Sequence, residues 1–402
     1  MRTFYLIPSL LSAFCLTYAG DSTAQKSNAF AVTGSTKGDI TWSTVRQIDL
    51  STGLELRSIY SPKDKPAILD AMSGTRVNGA ATAPTETLVA ATAYDSKTNR
   101  LFFTPMHSNE LRYFDLSKGT NAVYYVGNTA LKSFEEKSEA DVITRMCFGA
   151  DGYGYALTND ANHLIRFTSG SKITISDLGS VKDGEDNENI SIRNLCTSWG
   201  GDMIADAMGN LYVISMKKNV FKINPQTMVA DYIGAIDNMP ADYTINGAAV
   251  DDKGKVVVSS ATRTDNYYSV DLSTLQASAV PKKGNDVYNA SDLASGHLAY
   301  EDVSDAKVNP AVNVTGNSAV SVYPNPVITR SFQVAFDKVS TATQTIQLST
   351  VSGGSVLTKV INVSAKSITQ ITLPASVRSG VYIIKVSDGT GKVTYSGKVV
   401  VY

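Results

Sequence analysis

Side chains able to do chemistry are sparse in this sequence. Histidine occurs three times, as His107, His163 and His297, and no HExxH pair exists to hold a zinc ion. No GxSxG elbow marks a nucleophilic serine. The stretch GTGKVTYSGKV puts five residues between Gly391 and Gly397 where a phosphate loop has four, and Val399 stands where Ser or Thr is required. The acidic run KDGEDNEN offers Asp183, Glu185, Asp186 and Glu188 as hard oxygen ligands for calcium, but it lacks EF-hand spacing, and a solvated loop is the plainer reading. These features name no cofactor and no catalytic set.

The elements that would position a site are strands. Four segments share one layout of strand, Asp turn, strand, polar loop and strand, with turn aspartates Asp95, Asp151, Asp206 and Asp251 at intervals of 56, 55 and 45 residues. Each Asp accepts from amides two residues on and organises a hairpin, so no catalytic role is assigned to it. The period fits a four-stranded propeller blade with long loops. A fifth copy is split: SDLASGHLAYE at 291–301 resembles the first half of a unit, and TWSTVRQIDLSTG at 41–53 resembles the second. Joining the halves closes a ring and removes two exposed sheet edges. The fold expected over residues 25–302 is a five-bladed β-propeller, or six-bladed if one blade lacks the turn signature.

Ligands of such rings sit at one mouth of the central channel, among loops entering the inner strands. There the sequence places Arg145, Arg193, Asn246 and Asn289: Arg can fork to a carboxylate and Asn can bond sugar hydroxyls. Such groups also serve simply to satisfy nearby backbone. Paired aromatics such as Tyr113–Phe114 and Tyr267–Tyr268 read as packing between blades.

Charged residues make up 18% of the chain and the net charge is −1, with no basic run; nucleic-acid binding, which needs a concentrated cationic surface, is excluded. Residues 1–24 combine Arg2, an apolar stretch too short to span a bilayer, and small residues before Gln25, the pattern of a cleavable secretory signal. No transmembrane segment follows. Export leaves Cys147 and Cys196, which an oxidising compartment would permit to bridge; two buried thiols are the alternative.

Residues 303–318 are small and polar and read as a linker. From 319 to 402 short strands alternate with Gly turns, which suggests a small Ig-like β-sandwich. Three features coincide here: VYPNP with Tyr323, Pro324, Asn325 and Pro326; SGVYIIKV with Gly380 and Tyr382; and a terminal GKVVVY led by Lys398. Together they resemble the type A C-terminal sorting domain of the Bacteroidetes type IX secretion system. The resemblance implies passage through the periplasm, recognition by the type IX machinery, and release or linkage to surface lipopolysaccharide. The whole reads as a secreted or surface propeller that binds a protein or glycan without catalysis; the alternative is a metal-dependent propeller hydrolase or lyase acting at the channel mouth.

Overall fold

The computed structural model describes residues 27–301 and 320–401, apart from positions 78–83, 109, 128–129, 132–134, 136, 283, 285, 324–326, 328–329, 337–341, 351–353, 365–366, 375–376 and 378–379. The signal segment 1–24, the linker 303–318 and Pro324, Asn325 and Pro326 of the motif lie outside the described residues.

The first sheet begins with β1 (Asn28–Thr33), β2 (Thr44–Asp49) and β3 (Glu55–Tyr60). The second holds β4 (Ala67–Asp70), β5 (Val89–Asp95), β6 (Arg100–Pro105), β7 (Leu111–Asp115) and β8 (Ala122–Val126) in the order β4-β8-β7-β6-β5. The third is β9 (Ile143–Phe148), β10 (Gly154–Thr158), β11 (Leu164–Phe167) and β12 (Ile175–Asp177). The fourth takes β13 (Lys182–Asp183), β14 (Asp202–Ala205), β15 (Leu211–Ile214), β16 (Asn219–Asn224) and β17 (Val229–Ala235), and the fifth β18 (Gly247–Val250), β19 (Val256–Ser259), β20 (Tyr268–Asp271) and β21 (Gln276–Ala279). The chain then returns to the first sheet as β22 (Ala290–Ala294), whose order is β22-β1-β2-β3.

The innermost strands β22, β5, β9, β14 and β18 lie side by side, and β18 meets β22 again, so the arrangement is a propeller-like ring. Strand periodicity builds it. Residues alternate between the two faces of a strand, and each sheet here has a neighbour on both faces. Phe30 and Val32 of β1 pack with Val89, Leu101 and Phe103 of the second sheet, while Ala29 and Ala31 pack with Ala249 and Val257 of the fifth. Cores of the same kind join the second sheet to the third, the third to the fourth and the fourth to the fifth. Adjacent aromatics obey the same rule: Tyr113 and Phe114 point into different cores, as do Tyr267 and Tyr268. Near the axis the sheets converge and only small residues fit. A Cβ on Gly247 would come within 2.7 Å of the Leu293 amide nitrogen.

Segments 41–53 and 291–301 do share one sheet, but the division differs from the expected halves. The C-terminal piece gives one strand, β22, and residues 28–60 give three, of which only β2 falls within 41–53. β1, between them, pairs with both: Ala31 lies opposite Leu293 on one side and Arg46 on the other. Residues 295–301 form no second strand. They cross below the ring, where Ala299 N–H donates to Ala205 and its carbonyl accepts from Ala207, and Gly296 lies beside Tyr94 and Ser96.

The C-terminal region has a three-stranded sheet and a four-stranded sheet. The first contains β23 (Val320–Tyr323), β24 (Ser331–Phe336) and β27 (Ser367–Thr372); the second is ordered β26-β25-β28-β29, from β25 (Ala342–Thr350), β26 (Ser355–Val363), β28 (Gly380–Asp388) and β29 (Val393–Val401). One core unites them, with Phe332, Val334 and Phe336 against Ile346, Leu348, Ile384 and Val386. β23 precedes the prolines of the YPNP motif: Tyr323 ends β23 in one sheet, and Val327 N–H donates 2.7 Å to Val400 of the other. Tyr382 is buried on β28, and Lys398 lies opposite Ile383 on β29.

Leu293 is 1% exposed in the core where the ring closes. Leu293→Ala is expected to cost about 2–5 kcal/mol in denaturant unfolding, whereas Met72→Ala, at a side chain 81% exposed, should stay within about 0.5 kcal/mol of the parent.

Candidate functional site

All five inner strands begin on one face of the ring, so the loops entering them gather there with the loops between second and third strands. Each inner strand turns an unpaired edge towards the axis, and its backbone groups need partners away from bulk water. Polar side chains supply them. Asp202, on β14, accepts from the amides of Met203 (2.6 Å) and of Ala248 on β18 (2.7 Å). Asp292, on β22, accepts from the amide of Thr92 on β5. Ser291 Oγ donates to the Val89 carbonyl at 2.8 Å, and Ser295 Oγ accepts from the Val250 amide at 3.1 Å. Both carboxyl groups are fully buried, and they are neighbours: the Asp292 backbone lies against Gly247, next to the Ala248 amide that Asp202 holds. Burial raises the proton affinity of both, and for Asp292 the nearby Asp202 charge adds to the effect.

Arg145 is also fully buried. Its guanidinium donates to the carbonyls of Thr158 (3.1 Å) and Asn159 within its own sheet and to those of Ser198 (2.5 Å) and Gly200 (3.1 Å) ahead of β14. Burial lowers its pKa to about 10, and Asp202 and Asp160 oppose that shift. Below this level a cavity of about 20 Å³, lined by Ala93, Cys147, Ala249, Ala294 and His297 among others, has room for about one water molecule. Residues 295–301 floor it, and His297 Nδ1 lies 3.3 Å from Glu301.

The other expected binding residues lie around the same mouth. Asn246 and Asn289 meet at Ala261: Asn246 Oδ1 accepts from its amide (3.1 Å) and Asn289 Nδ2 donates to its carbonyl (2.7 Å). Asn289 also fastens the β1–β2 loop through Gly38 and Asp39. Arg193 is exposed on the loop that carries Ser198 and Gly200; it donates to Val181 at 2.7 Å, and its carbonyl accepts from Trp199 Nε1. Arg145 and Arg193 thus brace one loop, and the two asparagines brace another.

The remaining polar features serve the scaffold. Each turn aspartate accepts from the amide two residues on: Asp95 from Lys97, Asp151 from Tyr153, Asp206 from Met208 and Asp251 from Lys253. In the acidic run, Asp183 accepts from Ile192 N and Ser191 Oγ, while Glu185, Asp186 and Glu188 face solvent. The three histidines do not converge: His107 pairs with Glu139, His163 with Asp177 and His297 with Glu301. No three His, Cys, Asp or Glu side chains among the described residues are placed to share a metal. Cys147 and Cys196 are not bridged, and they are not two buried thiols either: Cys147 lines the central cavity, Cys196 sits on an exposed loop, and both thiols are free. Burial pushes the Cys147 thiol well above its usual value.

Asp202 and Asp292 were missed as a pair. Segment 291–301 resembles the first half of a repeated unit, and its Asp292 lies in an inner strand, as Asp202 does. The available signal was an aspartate within a short run of small and apolar residues, SDLA and GDMIA.

Comparison with known proteins finds the family described as secretion system C-terminal sorting domain, matching residues 321–402. The WD repeat-containing protein 1 of Xenopus tropicalis is 23% identical over 224 residues, which are 52% of this chain and 34% of that protein; the chain therefore spans about a third of that relative. Among solved structures, PorZ, a surface component of the type IX secretion system of Porphyromonas gingivalis, is 13% identical with a TM-score of 0.31, covering 93% of this chain and 51% of PorZ. Virginiamycin B lyase from Staphylococcus aureus is 9% identical with a TM-score of 0.32, covering 78% and 85%.

Arg145→Met keeps the stem and removes the donors, leaving buried carbonyls without partners; it should cost about 3 kcal/mol in urea unfolding. Arg193→Met, at an exposed position, should cost under about 1 kcal/mol in the same measurement.

Proposed function

Residues 321–402 belong to the C-terminal sorting domains of the type IX secretion system, which makes the chain an export cargo bound for the cell surface or the medium; from this premise we propose that residues 25–302 are a five-bladed β-propeller that binds a protein or glycan ligand without catalysis. The C-terminal unit is then a separately folding Ig-like sandwich that engages the export machinery, joined by a linker over 303–318. Linkage to surface lipopolysaccharide after sorting belongs to the same reading.

One observation carries it. The polar side chains at the ring centre, where a propeller enzyme would present reacting groups, are buried and bonded to the strands' own backbone. The accessible chemistry is on the loops of the entry face. Ile40, on the β1–β2 loop, is 58% exposed, and Leu195, beside Arg193 on the loop entering β14, is 63% exposed. Apolar anchors ringed by Arg, Asn and Ser suit recognition of a partner surface or a sugar face.

The mature chain, screened on a glycan array and against immobilised surface proteins, should give a defined ligand. Leu195→Asp should weaken that binding about tenfold or more, and Met72→Asp, on the outer edge of the second sheet, should leave it unchanged. Cleavage of a glycan or peptide on incubation would overturn the reading. In a type IX-competent host, deletion of residues 319–402 should retain the protein in the periplasm with its ring folded; undiminished secretion of the truncated chain would contradict the division into cargo and label.

A further inference from the structure

The carboxyl pair at the ring centre has a property that scaffold bonding leaves unexplained. Asp292 Oδ1 is buried and has no hydrogen-bond partner. The carboxyl group of Asp202 lies beside Asp292, and it too is an acceptor unless one of the two is protonated. Two carboxylates in such contact cannot both carry charge away from water. A metal cation is a poor fit between them, because the groups around the pair are N–H donors, from Thr92, Met203 and Ala248, and a hard cation needs several oxygen ligands. A proton on Asp292 Oδ1, donated to Asp202, satisfies every group.

We propose that Asp202 and Asp292 hold one proton between them, and that this proton clasps β22, the last strand of the ring, making ring closure sensitive to pH. The pair bridges strands that chain connectivity leaves separate. Asp202 belongs to β14 and bonds β18; Asp292 belongs to β22 and bonds β5. With one proton the pair carries one negative charge, which the Arg145 guanidinium on β9 balances. Loss of that proton to solvent leaves two anions facing one cation at the point where the chain ends meet.

The other groups facing the pair are few. β9 also contributes Cys147, kept neutral by burial; β5 contributes Tyr94, whose phenol burial holds neutral; and β18 contributes backbone amides. From the floor comes His297, whose pKa Glu301 raises. The direction of the pH effect follows from proton counting. Unfolded, both aspartates titrate near about 3.9; folded, burial and the closeness of the two groups make the pair keep its shared proton well above that range. The folded state binds the extra proton throughout that interval. The clasp's contribution is complete below about pH 4, declines as pH rises above that, and is gone once pH passes the pair's raised folded value. His297 acts in the same direction, its contribution being lost as pH rises through its raised value, but it does so independently of the carboxyl pair.

The test uses the full mature chain. Infrared difference spectra at pH 6 should contain a carboxylic-acid C=O band that is absent in Asp292→Asn, whose amide supplies a permanent donor to Asp202. The melting temperature of the parent should fall by about 5 °C more than that of Asp292→Asn between pH 5 and pH 8. Hydrogen exchange, corrected for intrinsic rate, should show protection of residues 290–294 declining over the same range in the parent alone. Absence of the acid band in the parent, or parallel melting profiles, overturns the proposal. Should Asp292→Asn fail to fold, the parent spectrum and Asp202→Asn decide it by the same criteria.

Discussion

Five sheets that meet at an axis must do something with five strand edges that face one another in a space with room for about one water molecule. This constraint governs the centre of the molecule. Strand ladders satisfy backbone groups within each sheet, but the innermost edges have no further strand to pair with. Small side chains let the edges approach, and a short list of polar ones supplies the missing partners: Asp202 and Asp292 for amides, Arg145 for carbonyls, and the serine hydroxyls of Ser291 and Ser295. Each is costly to bury alone and acceptable once bonded. The ring is therefore held at its rim by apolar cores and at its hub by polar contacts, and the two kinds of bonding answer to different solvent conditions.

The same constraint separates what the sequence disclosed from what it concealed. Hairpin aspartates were legible because their work is local: Asp151 bonds an amide two residues away, and that spacing is visible in the chain. The split sheet was legible too, since residues 41–53 and 291–301 each resembled part of a repeated unit. Its exact division was not. In SGHLAYE, Leu298 and Tyr300 alternate as they would in a strand, and only the position of Ala299 beside Ala205 reveals that the segment floors the ring instead. Arg145 was singled out by residue type, but its partners Ser198 and Gly200 lie more than fifty residues onward, beyond any local pattern. Asp202 and Asp292 were hidden for the same reason: their meeting depends on the complete ring.

The entry face and the hub divide the labour. Residues that looked like ligand groups, Asn246 and Asn289, are engaged with Ala261 and hold loops in place. That engagement makes the loops firm platforms for what they expose, and a preorganised surface loses less entropy when it binds. The C-terminal sandwich shows comparable economy. Its motif strand β28 is a central strand whose inward residues Tyr382, Ile384 and Val386 fill the core, leaving Ile383 and Lys385 to the other face.

The return of the chain to its first sheet has a temporal meaning. A polypeptide delivered amino-terminus first presents β1 with one edge unpaired until nearly three hundred residues have emerged. Ring completion is then among the last events, and the sorting unit emerges only after the strand that makes completion achievable. A chain terminated before β22 would lack both the closing strand and the sorting unit, and one terminated just after it would lack the sorting unit. Vectorial synthesis thus leaves no truncated chain that carries the sorting unit without the closing strand.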